Sequence, residues 1–192
     1  EIWVSGNVLC KLDIKDHLLT VRKVDIAVTS PGSLCEDKKQ NVWMAKGEEG
    51  VYQLTPDNQL TLHLSKDNGY VKSICEDQRG NIYVGSIRKG LFIYDKERKT
   101  FVPVDLKEKG ELPVCFLYSG IPNELYIGTD GKGVAIYNIR THEISEYKFD
   151  NNYFDSGNSK IHSILKDNSG NLWLAVYQKG VILIPARTNS FK

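Results

Sequence analysis

The 192-residue sequence predicts an all-β fold, a β-propeller of four-stranded antiparallel blades, on three observations. A short motif recurs at about the period of one propeller blade. A glycine follows each later copy at a fixed step and opens an apolar run. Apolar residues fall in short runs bounded by turn residues, and no window is long enough, or periodic enough at 3.6, to argue a helix.

A repeat of blade length fixes the architecture of the whole chain. Leu34-Cys-Glu-Asp-Lys-Lys-Gln-Asn-Val-Trp43 aligns with Ile74-Cys-Glu-Asp-Gln-Arg-Gly-Asn-Ile-Tyr83 and with Leu165-Lys-Asp-Asn-Ser-Gly-Asn-Leu-Trp173. A weaker copy runs Tyr118-Ser-Gly-Ile-Pro-Asn-Glu-Leu-Tyr126, and the chain opens on the tail of another, Glu1-Ile-Trp3. The aromatics stand at 3, 43, 83, 126 and 173, spaced by 40, 40, 43 and 47 residues. Seven residues beyond the later four come Gly50, Gly90, Gly133 and Gly180, each followed by an apolar run such as Leu91-Phe-Ile-Tyr or Val134-Ala-Ile-Tyr. A position repeated in every blade is one that packing demands, so Trp43, Tyr83, Tyr126 and Trp173 are expected as buried aromatics between blades rather than sugar-stacking platforms.

Within the third unit the strands are expected at Val71 to Glu76, Asn81 to Ser86, Leu91 to Asp95 and Phe101 to Val104. Asp77-x-x-Gly80-Asn81 has tight-hairpin chemistry: the carboxylate accepts from turn amides and the glycine supplies a positive φ. Gln40 replaces that glycine in the second unit, at a cost of about 1 kcal/mol if the turn keeps a left-handed residue there. The units are expected at 1–30 (partial), 31–69, 70–112, 113–159 and 160–192 (partial) of one incomplete propeller. These are about four and a half blades of an open ring, whose two bare faces would each leave ~400 Å² of apolar surface.

Composition narrows the function. Lys and Arg number 25 against 24 Asp and Glu, a net charge of +1, so no global field draws this segment to nucleic acid. No apolar stretch approaches the roughly 20 residues of a membrane helix, so no direct membrane insertion is expected. The first residue is Glu1, and the chain reads as an excised or processed piece. Cys10, Cys35, Cys75 and Cys115 show no zinc-type C-x-x-C spacing, and Cys35 and Cys75 occupy equivalent positions, as buried apolar thiols would. His17, His63, His142 and His162 have no shared metal or catalytic spacing, so neither a metal nor a cofactor is expected. Gly128-Thr-Asp-Gly-Lys-Gly133 looks like a phosphate loop, but a strand follows it where an anion site needs a helix. The acidic pairs Glu36-Asp37, Glu48-Glu49 and Glu76-Asp77 could supply an acid and a base, yet two of them repeat as turn residues.

One segment breaks the repeat. The connection Asp150-Asn-Asn-Tyr-Phe-Asp-Ser-Gly-Asn-Ser-Lys160 is longer than its counterparts. Function concentrates in irregular loops, and rings beside amides and carboxylates suit a sugar. Asn151, Asn152, Tyr153, Phe154, Asp155 and Asn158 are therefore the candidate ligand-binding residues, with a solvated insertion as the plain alternative.

The pattern Ile-x-x-Asp-x-x-Gly-Asn-Leu-Trp-x-Gly-Thr followed by Gly-Leu-x-x-Tyr-Asp is carried best by Ser73 to Asp95, Leu125 to Asn138 and Ile164 to Ile184. It resembles the regulator propeller repeat of hybrid two-component sensors of gut Bacteroidetes. The resemblance implies a parent protein whose seven-bladed propellers lie in a large periplasmic sensor region. An immunoglobulin-like domain, a membrane helix, a histidine kinase, a receiver and a DNA-binding regulator would follow outside these residues. It implies a periplasmic, non-catalytic segment that detects glycan-derived oligosaccharides and controls polysaccharide-utilisation genes. The implied partners are the remaining blades of the same parent chain and, in the full sensor, a second copy as a homodimer. The alternative is a carbohydrate-active propeller enzyme, a secreted lyase or hydrolase, which needs a clustered acid, base or metal set near the axis.

Overall fold

A computed structural model describes residues 2–64, 69–106, 112–148 and 155–186. These residues form five antiparallel sheets, each a meander of strands consecutive in sequence. The first holds β1 (Ile2–Ser5), β2 (Leu9–Lys15) and β3 (Leu18–Val24). The second holds β4 (Ser33–Glu36), β5 (Val42–Lys46), β6 (Gly50–Leu54) and β7 (Leu60–Leu64). The third holds β8 (Val71–Glu76), β9 (Ile82–Ser86), β10 (Gly90–Asp95) and β11 (Thr100–Pro103), each bound within a residue of its expected place. The fourth holds β12 (Val114–Ile121), β13 (Glu124–Thr129), β14 (Val134–Asn138) and β15 (Ile144–Glu146). The fifth holds β16 (Ile161–Lys166), β17 (Leu172–Val176) and β18 (Gly180–Ile184), preceded by a 3-10 turn at Ser156–Asn158. The innermost strands β4, β8, β12 and β16 lie side by side, so the sheets are the blades of a propeller. No helix among the described residues is long and apolar enough to cross a membrane.

The repeated motif is a self-contained hydrogen-bond unit at the first hairpin of a blade. Asp37 Oδ1 accepts from the amides of Lys39 and Asn41 at 2.9 Å each, while its Oδ2 accepts from Asn41 Nδ2 and Trp43 Nε1 at 2.8 Å each. Asp167 repeats the set with Ser169, Asn171 and Trp173, and Asp77 with Arg79 and Asn81. Every donor lies within six residues of its acceptor, so the turn is specified locally. Partial burial alone would raise the Asp37 carboxyl, but bonds from the Asn41 side chain, the Trp43 indole and the turn amides hold it below the usual carboxylate range. The left-handed residue is Gly80 at φ 79 and Gly170 at φ 86, and Gln40 takes the same conformation at φ 64. Gly50, Gly90, Gly133 and Gly180 also sit at positive φ, where the second hairpin returns.

Blades pack through the motif aromatic and the small residue two positions after it. Trp43 is 2% exposed and meets Tyr94 and Phe101 of the next blade edge-on, at centroid distances of 4.9 and 5.8 Å. Tyr83 and Tyr126 are buried against Val114 and Leu117, and against Ile161 and Ile164, of the blades that follow them. A Cβ on Gly85 would stand 2.3 Å from Val114 Cγ1, and one on Gly128 would stand 2.8 Å from Ile161 Cγ2. The expectation of four equivalent buried aromatics fails at Trp173, which is 38% exposed. It makes the same bond to its motif aspartate, but no described blade follows β18 to cover its ring.

All four cysteines are free thiols. Burial pushes Cys35 up to about 11 and also raises Cys75, so both stay protonated and unreactive at neutral pH. Residues 128–133 form a plain hairpin, in which Thr129 Oγ1 donates to the Gly133 carbonyl at 2.7 Å.

Candidate functional site

The irregular connection divides between what is described and what is not: Asn151, Asn152, Tyr153 and Phe154 lie outside the described residues. Asp155 and Asn158 are described, and each is engaged by the other. Asp155 accepts from Asn158 Nδ2 at 2.9 Å and from the Gly157 amide at 3.1 Å, which caps the 3-10 turn. The Asn158 bond is the largest cause holding this exposed carboxyl below its usual range. Ser159 ties the turn to its neighbours: its carbonyl accepts from the Gly133 amide at 2.9 Å and its Oγ from Lys179 Nζ at 3.1 Å. Residues 155–160 thus lead into β16 at the end of the propeller where the inner strands begin.

That end holds a cavity of about 890 Å³, within the usual range of ligand pockets. Its walls come from the first residues of the inner strands. In β8, Val71 pairs with Ser86 and Ser73 with Gly85, so Lys72 is an extra, unpaired residue. The same slip leaves Cys115 unpaired in β12 and His162 in β16. In the second blade Gly32 stands at the equivalent place, its amide donating to the Ala45 carbonyl just before Ser33 pairs with that residue. A bulge bends the strand and re-aims a side chain. Here it turns the strands' apolar residues Val71, Val114 and Ile161 into the core and sets Lys72, Cys115 and His162 on the cavity wall, which Gly32 also lines.

Hairpin tips and strand entries complete the site with Lys46, Glu48, Glu49, Tyr70 and Arg88. Lys46 is neutralised by Glu49 at 2.9 Å and also reaches Thr29. Tyr70 is 42% exposed and its ring lies against Gly47, where a Cβ would come within 3.1 Å of the ring. Burial pushes the Cys115 thiol up and Lys72 only partly offsets it, so this cysteine is held as a neutral thiol rather than a nucleophile. His162 stacks with Tyr177 at 5.5 Å, and Lys160 beside it pairs with Asp130 at 2.9 Å. Among the described residues no cluster of His, Cys, Asp and Glu could hold a metal ion.

The sequence carries a signal for these four cavity-wall positions. Each stands eleven residues before its motif aromatic, at 32, 72, 115 and 162 against 43, 83, 126 and 173. Gly, Lys, Cys and His there contrast with a neighbouring position that is Ser in three of the four units, at Ser33, Ser73 and Ser163. Repeated positions serve packing, and a repeat position that changes chemistry from blade to blade around one cavity is where a ligand can be read.

Two stretches of the sequence, residues 65–88 and 155–178, match the family described as two component regulator propeller. No curated protein matches the sequence. Among solved structures, the chain is similar to the extracellular domain of a hybrid two component system from B. thetaiotaomicron. The identity is 20% and the TM-score 0.67, over 97% of this chain and 26% of that one. A second such domain from the same organism gives 16% and 0.66, over 99% of this chain and 28% of that one. Virginiamycin B lyase from Staphylococcus aureus gives 15% and 0.69, over 97% and 67%. The chain spans about a quarter of the length of the two extracellular domains. These likenesses establish a fold common to a two component extracellular domain and to a lyase.

Proposed function

We propose that this chain, which carries two component regulator propeller repeats, is a non-catalytic ligand-sensing segment in the periplasmic region of a hybrid two-component sensor. The observation that carries the reading is the repeat itself, matched in two separate blades. The ligand is an oligosaccharide released from a glycan, and the response is control of polysaccharide-utilisation genes through a histidine kinase elsewhere in the parent protein. Further blades of that parent, in a seven-bladed ring, cover the apolar faces of the first and fifth sheets, and the complete sensor works as a homodimer. Signalling is a population shift: the ligand favours one arrangement of the paired sensor regions by its difference in affinity for the two.

A second reading, a carbohydrate-active lyase or hydrolase, draws on the shared fold with a lyase. The cavity supports it poorly, because Cys115 is neutral and Glu49 is held by Lys46. One experiment separates the two readings. The purified chain is titrated calorimetrically with defined oligosaccharide digests while products are followed by chromatography. The sensor reading expects binding with the oligosaccharide recovered intact. Turnover abolished by Glu48→Gln or His162→Ala would replace it with the enzymatic one.

A further inference from the structure

We infer that the axial cavity reads an acidic group on its ligand, a carboxylate or a sulfate borne by a sugar, through Lys72 and Arg88. The inference rests on the oligosaccharide-sensor reading above and narrows it to acidic glycans. Three observations carry it.

The first is the contrast among the cations of the cavity. Lys46 has its carboxylate in Glu49, and Lys160 at the neighbouring blade has Asp130. Lys72 and Arg88 also line the cavity, and among the described residues neither side chain makes an ion pair or a hydrogen bond. Both belong to the third blade: Lys72 on the bulge of β8, Arg88 at the tip of the hairpin joining β9 to β10. With Lys46 set against Glu49, these two cations outnumber Glu48, the remaining carboxylate of the lining, so the concave site keeps a net positive potential, although the chain as a whole carries only +1. The guanidinium fork suits the paired oxygens of a carboxylate or sulfate, and the ammonium adds a point charge.

The second observation is placement. Lys72 reaches the wall because the strand bulges there, and the bulge recurs in β12 and β16, where it presents Cys115 and His162 instead. One scaffold position therefore supplies a cation in one blade, a neutral thiol in the next and an imidazole in the third. Such a graded wall orients a charged ligand end toward the third blade.

The third is the aromatic beside them. Tyr70 stands just before β8, its ring laid on Gly47 and still 42% exposed. A pyranose ring stacked there has its substituents within the same cavity as Lys72, with Glu48 at the rim to accept from hydroxyls.

The test is calorimetric titration of the full chain with four oligosaccharide pools at two salt concentrations. Polygalacturonate digest supplies carboxylate alone and carrageenan digest supplies sulfate alone, whereas mannan and β-glucan digests are neutral. We expect one acidic pool to bind, with affinity falling at least tenfold in Lys72→Met and in Arg88→Met and also on raising the salt. Both variants keep the wild-type melting temperature, since neither side chain makes a bond within the described fold. Which acidic pool binds distinguishes carboxylate from sulfate. Binding of a neutral pool, unchanged in both variants, would overturn the inference and leave the sensor reading standing. Acidic binding indifferent to both variants would place the site elsewhere and also overturn it. Failure of all four pools to bind counts against both.

Discussion

The middle blades and the end blades of this chain use the same residues to different effect. Trp43, Tyr83 and Tyr126 are 2%, 1% and 7% exposed, whereas Trp173, with the same motif and the same aspartate bond, is 38% exposed. Large apolar side chains exposed among the described residues belong to the first and fifth sheets, Leu62 and Tyr70 excepted. Leu18 at 70% and Val181 at 66% are the extremes. The motif turn is a local structure and forms in every unit that has its residues. The burial of its aromatic belongs to the interface with the following blade and appears only where that blade is present.

Substitution of the tryptophans should expose this difference most strongly. Trp43→Ala removes a ring packed against Tyr94, Phe101 and His63, and should destabilise the chain by about 3–5 kcal/mol. Trp173→Ala removes a part-exposed ring and should cost less than about 2 kcal/mol. Urea unfolding of the two variants beside wild type measures both. Equal losses would show that the aromatic acts through its own hairpin and that the interface account is wrong.

The small residues two positions on give the next effect in size. Gly85→Leu drives a side chain into Val114 and should cost roughly 1–3 kcal/mol or more by overpacking. Ala175→Leu occupies the equivalent position in the fifth sheet, where no described blade faces it, and should be near neutral in the isolated chain. In a longer protein whose next blade covers this face, the proposal above expects Ala175→Leu to become as damaging as Gly85→Leu. Melting temperatures in the two contexts test the comparison and the ring-completion proposal together.

What was legible in the sequence follows the same division. The propeller and the strand bounds of the third blade were readable because Asp77, Gly80, Asn81 and Tyr83 fix turn and register within seven residues. The exposure of Trp173 was not readable, because it depends on a neighbour and not on the motif. Asp155 and Asn158 have the composition of a sugar site, whereas the bond that joins their side chains depends on the 3-10 turn and is not announced by the sequence. The axial cavity was hidden for a different reason. A bulge is a property of the pairing between two strands, so Lys72, Cys115 and His162 read in sequence as ordinary strand residues.

The smallest effect tests whether the motif turn is local, on which the whole comparison stands. Gln40 is held at φ 64 in the turn where Gly80 and Gly170 stand at 79 and 86. A side chain in the left-handed region costs about 1 kcal/mol relative to glycine, which adopts it without the Cβ clash. Glycine also gives the unfolded chain more freedom, which offsets part of the gain. Gln40→Gly should therefore stabilise the chain by a few tenths to about 1 kcal/mol, and Gly80→Gln and Gly170→Gln should destabilise it by a similar amount. The two reverse substitutions should agree with each other, although Gly80 sits in a middle blade and Gly170 in an end blade. Unfolding midpoints read the three values. A Gly170→Gln cost far below that of Gly80→Gln would mean that the turn draws its stability from the neighbouring blade, and the separation between local motif and shared interface would fail.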